Sequence, residues 1–502
     1  MSISRRDLLL AGAAAGVSGL ALPAIFVRNA LATADARFTN PLELPPLLEG
    51  RPEAGIQVYD LNLQRGHRNF FSDLATPTAG INGSFLGPVV KVNRGDRIRL
   101  NVTNRLSESS TLHWHGMHLP AKMDGGPHQV IEPGSTWSPE FEVRQPAATQ
   151  WYHSHMLHRT GVQVYYGLAG LLYIDDEESS SLGLPSEYGV DDIPLVLLDR
   201  AFNRDGTFSY LDSMHDRMVG MTGNVMLVNG VAGASLKAQR RRLRLRILNG
   251  SNARIYNLEF SDQREFQQIA TDGGLLSRPV ALRTVRLAPG ERAEIVVELS
   301  PGDDLMLRHT PPSSRRSEGG GMMGMMGGMM RTDTQPFSIL RIDGSEMAPA
   351  AGVVQEKLIS VRDWSEDEAA RTRRFVLDMG MGMGMMGGGG GFTINGKSME
   401  LKRIDETIRL GDVEIWEISN RSPMPHPFHI HDIQFRILDR DGRKPPANEQ
   451  GLKDTVLVES GETVRIITQF ENYADADSPY MFHCHILEHE DAGMMGQFVV
   501  VA

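Results

Sequence analysis

A single cysteine, Cys484, stands among 502 residues. One thiol cannot close an internal disulfide, so apolar cores rather than covalent staples must hold the fold. A membrane span is missing too: after the N-terminal stretch no hydrophobic run approaches the ~20 residues needed to cross a bilayer, which excludes membrane insertion as an expectation. Positive charge is in deficit, with 51 Lys and Arg against 62 Asp and Glu and a formal net charge of −11. That balance argues against nucleic acid as a partner. Long stretches of helical periodicity are likewise absent, which leaves strands as the building material.

What the chain does contain begins at its N-terminus. Ser4-Arg5-Arg6-Asp7-Leu8-Leu9-Leu10 runs through small and apolar residues to Ala30-Leu31-Ala32. Residues 1–32 read as a twin-arginine export signal with an A-x-A cleavage site. The expected partner is the twin-arginine machinery, the expected location is the periplasm, and the mature chain starts at Thr33. Loss of Arg5, Arg6, Arg28 and Asp7 removes a net +2 and takes the formal charge from −11 to −13.

The remainder has the length of about three domains of roughly 150 residues and shows an internal repeat. Asn82-Gly83 precedes Arg97–Val102, Asn104 and His113; Asn229-Gly230 precedes Leu243–Leu248, Asn249 and Tyr256; Asn395-Gly396 precedes Val413–Ile418, Asn420 and His426. Turns at Pro133-Gly134, Pro289-Gly290 and Ser460-Gly461 then lead into further alternating strands. Period-two patterning with Gly, Pro and Asn at the breaks predicts an all-β chain of three antiparallel β-sandwiches, at 37–178, 179–345 and 346–502. The middle copy carries Tyr256 and Asn257 where the outer copies carry histidine, so no metal is expected there. Two segments break the pattern: 319–330 in the second domain and 379–391 in the third together hold eleven of the 26 methionines, interleaved with glycine.

Four His-x-His pairs stand at His113/His115, His153/His155, His429/His431 and His483/His485. Residues two apart on a strand share a face, so each pair offers two imidazoles together. Two pairs lie in the first repeat and two in the third, enough for a small copper cluster between those domains. Cys484 sits between the last two histidines, and alternation sends its sulfur to the opposite face. There His426, His489 and Met494 can complete a His₂Cys set with a weak axial thioether, the ligand set of a blue-copper centre.

The segments His113-Trp114-His115-Gly116, Trp151-Tyr152-His153-Ser154-His155, His426-Pro427-Phe428-His429-Ile430-His431 and His483-Cys484-His485-Ile486-Leu487-Glu488-His489 resemble, in order, the copper motifs of the multicopper oxidases. The resemblance implies three consecutive cupredoxin-like Greek-key β-sandwich domains and four copper ions. A type-1 copper would take His426, Cys484, His489 and Met494; a type-2 copper His113 and His429; two type-3 coppers His115, His153, His155, His431, His483 and His485. Asp124, in Met123-Asp124-Gly125-Gly126-Pro127, and Glu490 match acidic positions that deliver protons in the family. The other six histidines, His67, His118, His128, His158, His215 and His309, are expected to be ordinary residues.

Thioethers are soft ligands that favour Cu(I), so the methionine-rich segments suggest a cuprous substrate. The chain is most similar to the bacterial copper efflux oxidases. Met424 matches a substrate-copper ligand of that group, but Ser422 stands where an acidic residue is expected; Met379, Met381, Met383 and Asp378 are further candidates for holding Cu(I). The leading expectation is an exported, monomeric oxidase of Cu(I), with Fe(II) as a secondary candidate substrate, that reduces O₂ to water in copper tolerance. Competing readings are a laccase acting on phenols and aromatic amines, a copper-sequestering protein, and an exported scaffold that has lost its coppers.

Overall fold

The structure is a computed structural model that describes residues 38–71, 74–311, 335–380 and 391–502. The export segment 1–32, the methionine-rich segment 319–330, and Met381 and Met383 of the second such segment lie outside the described residues.

Among the described residues, the strands assemble into six sheets. In the first third, Ile56–Phe71 and Arg97–Asn104 lead one sheet, while Val89–Asn93, Ala169–Asp175, Ala148–His153 and His113–His115 lie in the other. Apolar side chains from both, among them Leu61, Leu100, Val92 and Leu172, meet in one core. The middle third repeats this with Asp192–Phe202, Arg242–Asn249 and Arg292–Glu298 in one sheet and Tyr256–Phe260, Asp303–His309 and Phe337–Gly344 in the other. In the last third, Ala369–Met379, Val413–Asn420 and Thr463–Gln469 oppose His426–Ile430, Asp475–Cys484 and Met495–Val501, around Trp416, Phe428 and Phe482. An aromatic cluster of Phe70, Phe85, Phe202 and Phe208 joins the first third to the second.

Helices are short. The longest among the described residues is Thr160–Tyr166, with seven residues.

Two features differ from the sequence reading. The sheets are mixed rather than antiparallel: Ile56–Phe71 runs parallel to Arg97–Asn104, Asp192–Phe202 to Arg242–Asn249, and Ala369–Met379 to Val413–Asn420. Alternation reports which face of a strand is buried but not the direction of its neighbour, and here the chain visits the opposite sheet before returning beside the strand it left. In addition, Asn40–Pro41 pairs with Ala234 and Ser235 of the middle third, so the chain crosses to another sandwich before building its own.

The repeat is visible at atomic detail. Asn82, Asn229 and Asn395 all adopt left-handed backbone conformations, φ 56°, 51° and 55°, which asparagine tolerates better than most residues. Each side chain fixes a neighbouring strand in the same way. Oδ1 accepts from the backbone N–H of Asn62, Val196 or Val376 at 2.8 Å, and Nδ2 donates to the carbonyl two residues earlier, Asp60, Pro194 or Arg374. A second set, Asn104, Asn249 and Asn420, donates to the carbonyls of Ile131, Leu287 and Val458 and accepts from the N–H two residues on.

Because Asn249 is fully buried and its loss orphans two carbonyls and an N–H, Asn249→Ala is expected to destabilise the protein by about 3 kcal/mol. Chemical denaturation measures this; a loss under about 0.5 kcal/mol would contradict the role given to the asparagines.

Candidate metal centre

In the first third, His113–His115 pairs antiparallel with Ala148–His153 in a register that sets His113 opposite His153. In the last third, His426–Ile430 pairs with Asp475–Cys484 so that His429 faces His483. Only the first His-x-His pair lies wholly within a strand; His155, His431 and His485 follow just after their strands end. The rings converge nonetheless, and all eight are buried at the junction of the first and last thirds.

The ligand nitrogens of His155, His431 and His483 come together, with Nε2 of His483 3.2 Å from that of His155 and 3.3 Å from that of His431. His115, His153 and His485 form a second triangle, ring centroids 5.0 to 5.6 Å apart. The rings of His113 and His429 stand 6.0 Å apart and stack on those of His431 and His115, respectively, at 3.8 and 3.7 Å.

On the other face of the same strand, Cys484 Sγ lies 3.3 Å from Nδ1 of His426 and 3.8 Å from Nδ1 of His489, whose two nitrogens are 3.3 Å apart. Met494 is buried in the core with Cys484, and its carbonyl accepts from the Cys484 N–H at 3.0 Å.

Four rings of the cluster are held by an outer nitrogen, Nδ1. His113 Nδ1 donates to the Asp124 carbonyl at 2.9 Å, His153 to Ser154 at 2.8 Å, His429 to Asp454 at 2.8 Å and His483 to Cys484 at 3.1 Å. In the sulfur set the roles reverse: His426 Nε2 meets Ser422 Oγ at 2.7 Å, and His489 Nε2 donates to the Met218 carbonyl at 3.1 Å. Such outer contacts fix tautomer and orientation in metal sites. They leave Nε2 of His113, His153 and His429 buried without a hydrogen-bond partner, and His485 is buried with both nitrogens unpartnered. An orphaned buried nitrogen is costly, and a metal ion is the partner that would satisfy it; the donor set fits copper.

Charge in the metal-free chain agrees. Burial, then repulsion from neighbouring imidazoles, holds His115, His153, His155, His429 and His431 well below the ordinary imidazole value. Burial first of all brings His483 and His489 down to about 3 and pushes the Cys484 thiol up. The imidazoles are therefore neutral, the form in which they bind metal.

Both predicted carboxylates reach the cluster. Asp124 Oδ2 accepts from His431 Nδ1 at 2.7 Å, and Oδ1 lies 3.4 Å from His113 Nδ1. Its placement depends on Gly125, φ +76°, where an added Cβ would stand 1.8 Å from the Leu112 carbonyl oxygen. Glu490 spans two rings, Oε1 3.3 Å from His155 Nδ1 and Oε2 3.3 Å from His483 Nδ1.

The candidates for substrate copper divide. Met379 and Met424 are buried in the same core as Cys484 and Met494, and Met218 packs against it. Asp378 lies on the opposite face of its strand from Met379, as alternation requires. Among the remaining histidines, His158 donates through Nδ1 to the Asp491 carbonyl at 2.7 Å, beside Glu490.

Ser422, noted in the sequence only as replacing an acidic residue, orients His426. Other site residues went unnoticed there. Glu488 accepts from Tyr210, Asn252 and the Met221 N–H at 2.9, 2.7 and 3.0 Å, and Asp491 accepts from the Thr160 and Gly161 N–H groups. Together they tie the short helix Leu487–Asp491, which bears His489 and Glu490, to the other two thirds of the chain. Asp454 lies 3.0 Å from His115. The Glu488 and Asp491 neighbours of His489 were visible as an acidic run, but their partners are remote in sequence.

Fold and site define an all-β metalloprotein with a sulfur–imidazole set backing onto a polyimidazole cluster. Residues 62–179 and 373–502 match multicopper oxidase family models. A multicopper oxidase of Staphylococcus haemolyticus is 37% identical over 468 residues, covering 92% of each chain. The cell division protein FtsP of Photorhabdus laumondii is 34% identical over 506 residues, covering 100% of this chain and 99% of its own. Among solved structures, CueO of Ochrobactrum sp., a bacterial laccase-like multicopper oxidase with oxidase activity towards lignin model compounds, matches with a TM-score of 0.80 at 37% identity, covering 92% of this chain and 100% of that one. The chain belongs to the multicopper oxidase family: a copper oxidoreductase of cupredoxin-like β-sandwiches.

The depressed imidazoles make stability pH-dependent. His483 and His489 titrate near 3 when folded and near 6.5 when unfolded. Below about 6.5 the unfolded chain takes up protons that the folded chain refuses, so stability is full above that pH and is lost as pH falls towards 3. The melting temperature of the metal-free protein is expected to drop steadily between about pH 7 and pH 4; a flat profile would contradict neutral buried rings.

Proposed function

We propose that this protein is an exported multicopper oxidase, folded as three domains at 37–178, 179–345 and 346–502, that oxidises Cu(I), with Fe(II) as a second substrate, and reduces oxygen to water in the service of copper tolerance. In balance, four Cu(I), one O₂ and four protons yield four Cu(II) and two waters.

The observation that carries this reading is the pair of ligand sets on one strand end, with Cys484 Sγ facing His426 and His489 while the flanking His483 belongs to the cluster. His426, Cys484, His489 and Met494 would hold a type-1 copper, His113 and His429 a type-2 copper, and His115, His153, His155, His431, His483 and His485 a type-3 pair. Copper in these sets would supply one-electron acceptance from the reductant and the four electrons that oxygen needs. Simple sequestration calls for no such division of labour, and a scaffold without copper would gain nothing from orphaned buried nitrogens.

The chain's own part is orientation and proton supply. Ser422 and the Met218 carbonyl aim the type-1 imidazoles. Glu490, between the Nδ1 atoms of His155 and His483, and Asp124, on that of His431, are the candidate proton donors. Support for Cu(I) comes from the thioethers of Met379, Met424 and Met218 around the sulfur set and from the methionine-rich segments in the sequence. The hydroxyl of Ser422 already serves His426, so the substrate site would rest on thioethers rather than on a carboxylate there. Export rests on the Arg5-Arg6 signal. The likeness to a laccase-like enzyme with activity towards lignin compounds makes phenol oxidation the competing reading.

Oxygen uptake by the copper-loaded protein decides between them: Cu(I) should outpace a simple phenol, and deleting 319–330 and 381–390 should slow Cu(I) turnover. Faster phenol turnover that rises on deletion would mark a laccase. Cys484→Ser should abolish the blue colour and turnover together. Glu490→Gln should retain the colour and lower turnover by about a hundredfold; unchanged turnover would remove Glu490 from proton supply.

A further inference from the structure

The middle third lacks the histidines of its neighbours, yet it reaches the cluster. Its turn at Gly290, φ +84°, lies so close to His485 that an added Cβ would stand 2.9 Å from Cδ2 of that ring. Two residues on, Arg292 is fully enclosed and its donors are all used. Nε donates to the Thr149 carbonyl at 3.0 Å and Nη1 to the Gly290 carbonyl at 3.0 Å; Nη2 donates to the Asp272 carbonyl at 3.0 Å and to Gln150 Oε1. The forked pair goes to Asp454, Nη1 to Oδ1 at 2.8 Å and Nη2 to Oδ2 at 2.6 Å.

Asp454 in turn holds His115. Its Oδ1 accepts from His115 Nε2 at 3.0 Å and from Thr455 Oγ1 at 2.9 Å. His115 is thereby turned opposite to its neighbours: its Nδ1 is the buried nitrogen without a hydrogen-bond partner, whereas in His113, His153 and His429 that nitrogen is Nε2. Asp454 also lies close enough to His115 and His429 for the three to be read as a metal site. A bidentate guanidinium on both carboxylate oxygens works against that reading.

We propose that Arg292 is a positioning residue for the cluster. By clamping Asp454 it keeps that carboxylate off the metal and fixes His115 as the Nε2–H tautomer, with Nδ1 turned towards the cluster. The middle domain, without a ligand of its own, thus sets the orientation of one. This rests on the reading of His115 as a cluster ligand.

Arg292→Gln and Arg292→Lys test it, the second keeping the buried charge but losing the fork. Two readouts are used: nitrogen NMR of the histidine tautomers in the metal-free protein, and copper content with the separate spectroscopic signals of the type-1 and cluster coppers. In the native protein His115 should carry its proton on Nε2; both variants should lose that single tautomer. Cluster copper affinity should fall about tenfold or more, while the blue type-1 signal, on the opposite face of the Cys484 strand, stays. Native tautomer and native cluster loading in the lysine variant would overturn the proposal, as would equal loss of the blue and cluster signals, which would mark general damage to the fold. If even the native protein fails to load the cluster, the reading of function fails, but the tautomer of His115 still decides the role of Arg292.

Discussion

Ten imidazoles must be kept out of water and directed into two ligand sets, eight into the cluster and two towards Cys484. Every other feature of the structure answers that constraint. A buried nitrogen without a partner costs about 1–3 kcal/mol, and several occur together here. Three sandwiches, each with its own core, supply the apolar burial that offsets such a cost, and metal binding would recover part of it. A single thiol and no disulfide suffice because the scaffold is stabilised by packing and by repeated asparagine contacts.

The two ligand sets are neighbours because of strand geometry alone. Alternation places Cys484 on the face opposite His483, so one length of backbone serves both. The next residues, Leu487–Asp491, form a short helix whose acidic side chains grip the other two thirds of the chain. His489 and Glu490 ride on that helix, one in each site. A shift of any sandwich would therefore disturb the sulfur set and the cluster together. The middle third, though without the metal-ligand histidines of its neighbours, reaches the cluster through Gly290 and Arg292.

Much of this was legible in the sequence. The four His-x-His pairs, Cys484 and the threefold Asn-Gly recurrence marked the ligands and the repeat. They are local patterns, and local patterns survive translation into strands. An aspartate before two glycines also suits a turn, and the contact of Asp124 with His431 is visible only in three dimensions. Strand direction was not legible, since alternation is the same for parallel and antiparallel neighbours. Nor were Arg292 and Asp454, 162 residues apart, each unremarkable among its own neighbours; only the packing of the middle third against the last brings them together. Met379 and Asp378, both candidates for holding Cu(I), are adjacent on one strand and so lie on its opposite faces.

The central claim is that the chain holds two distinct copper sites back to back. Anomalous scattering at the copper absorption edge, from crystals of the copper-loaded protein, tests it most directly. The account expects one peak against Cys484 Sγ between His426 and His489, and three more among the eight imidazoles of the junction. Peaks confined to the methionines, or an imidazole cluster that stays empty beside a filled cysteine site, would contradict it.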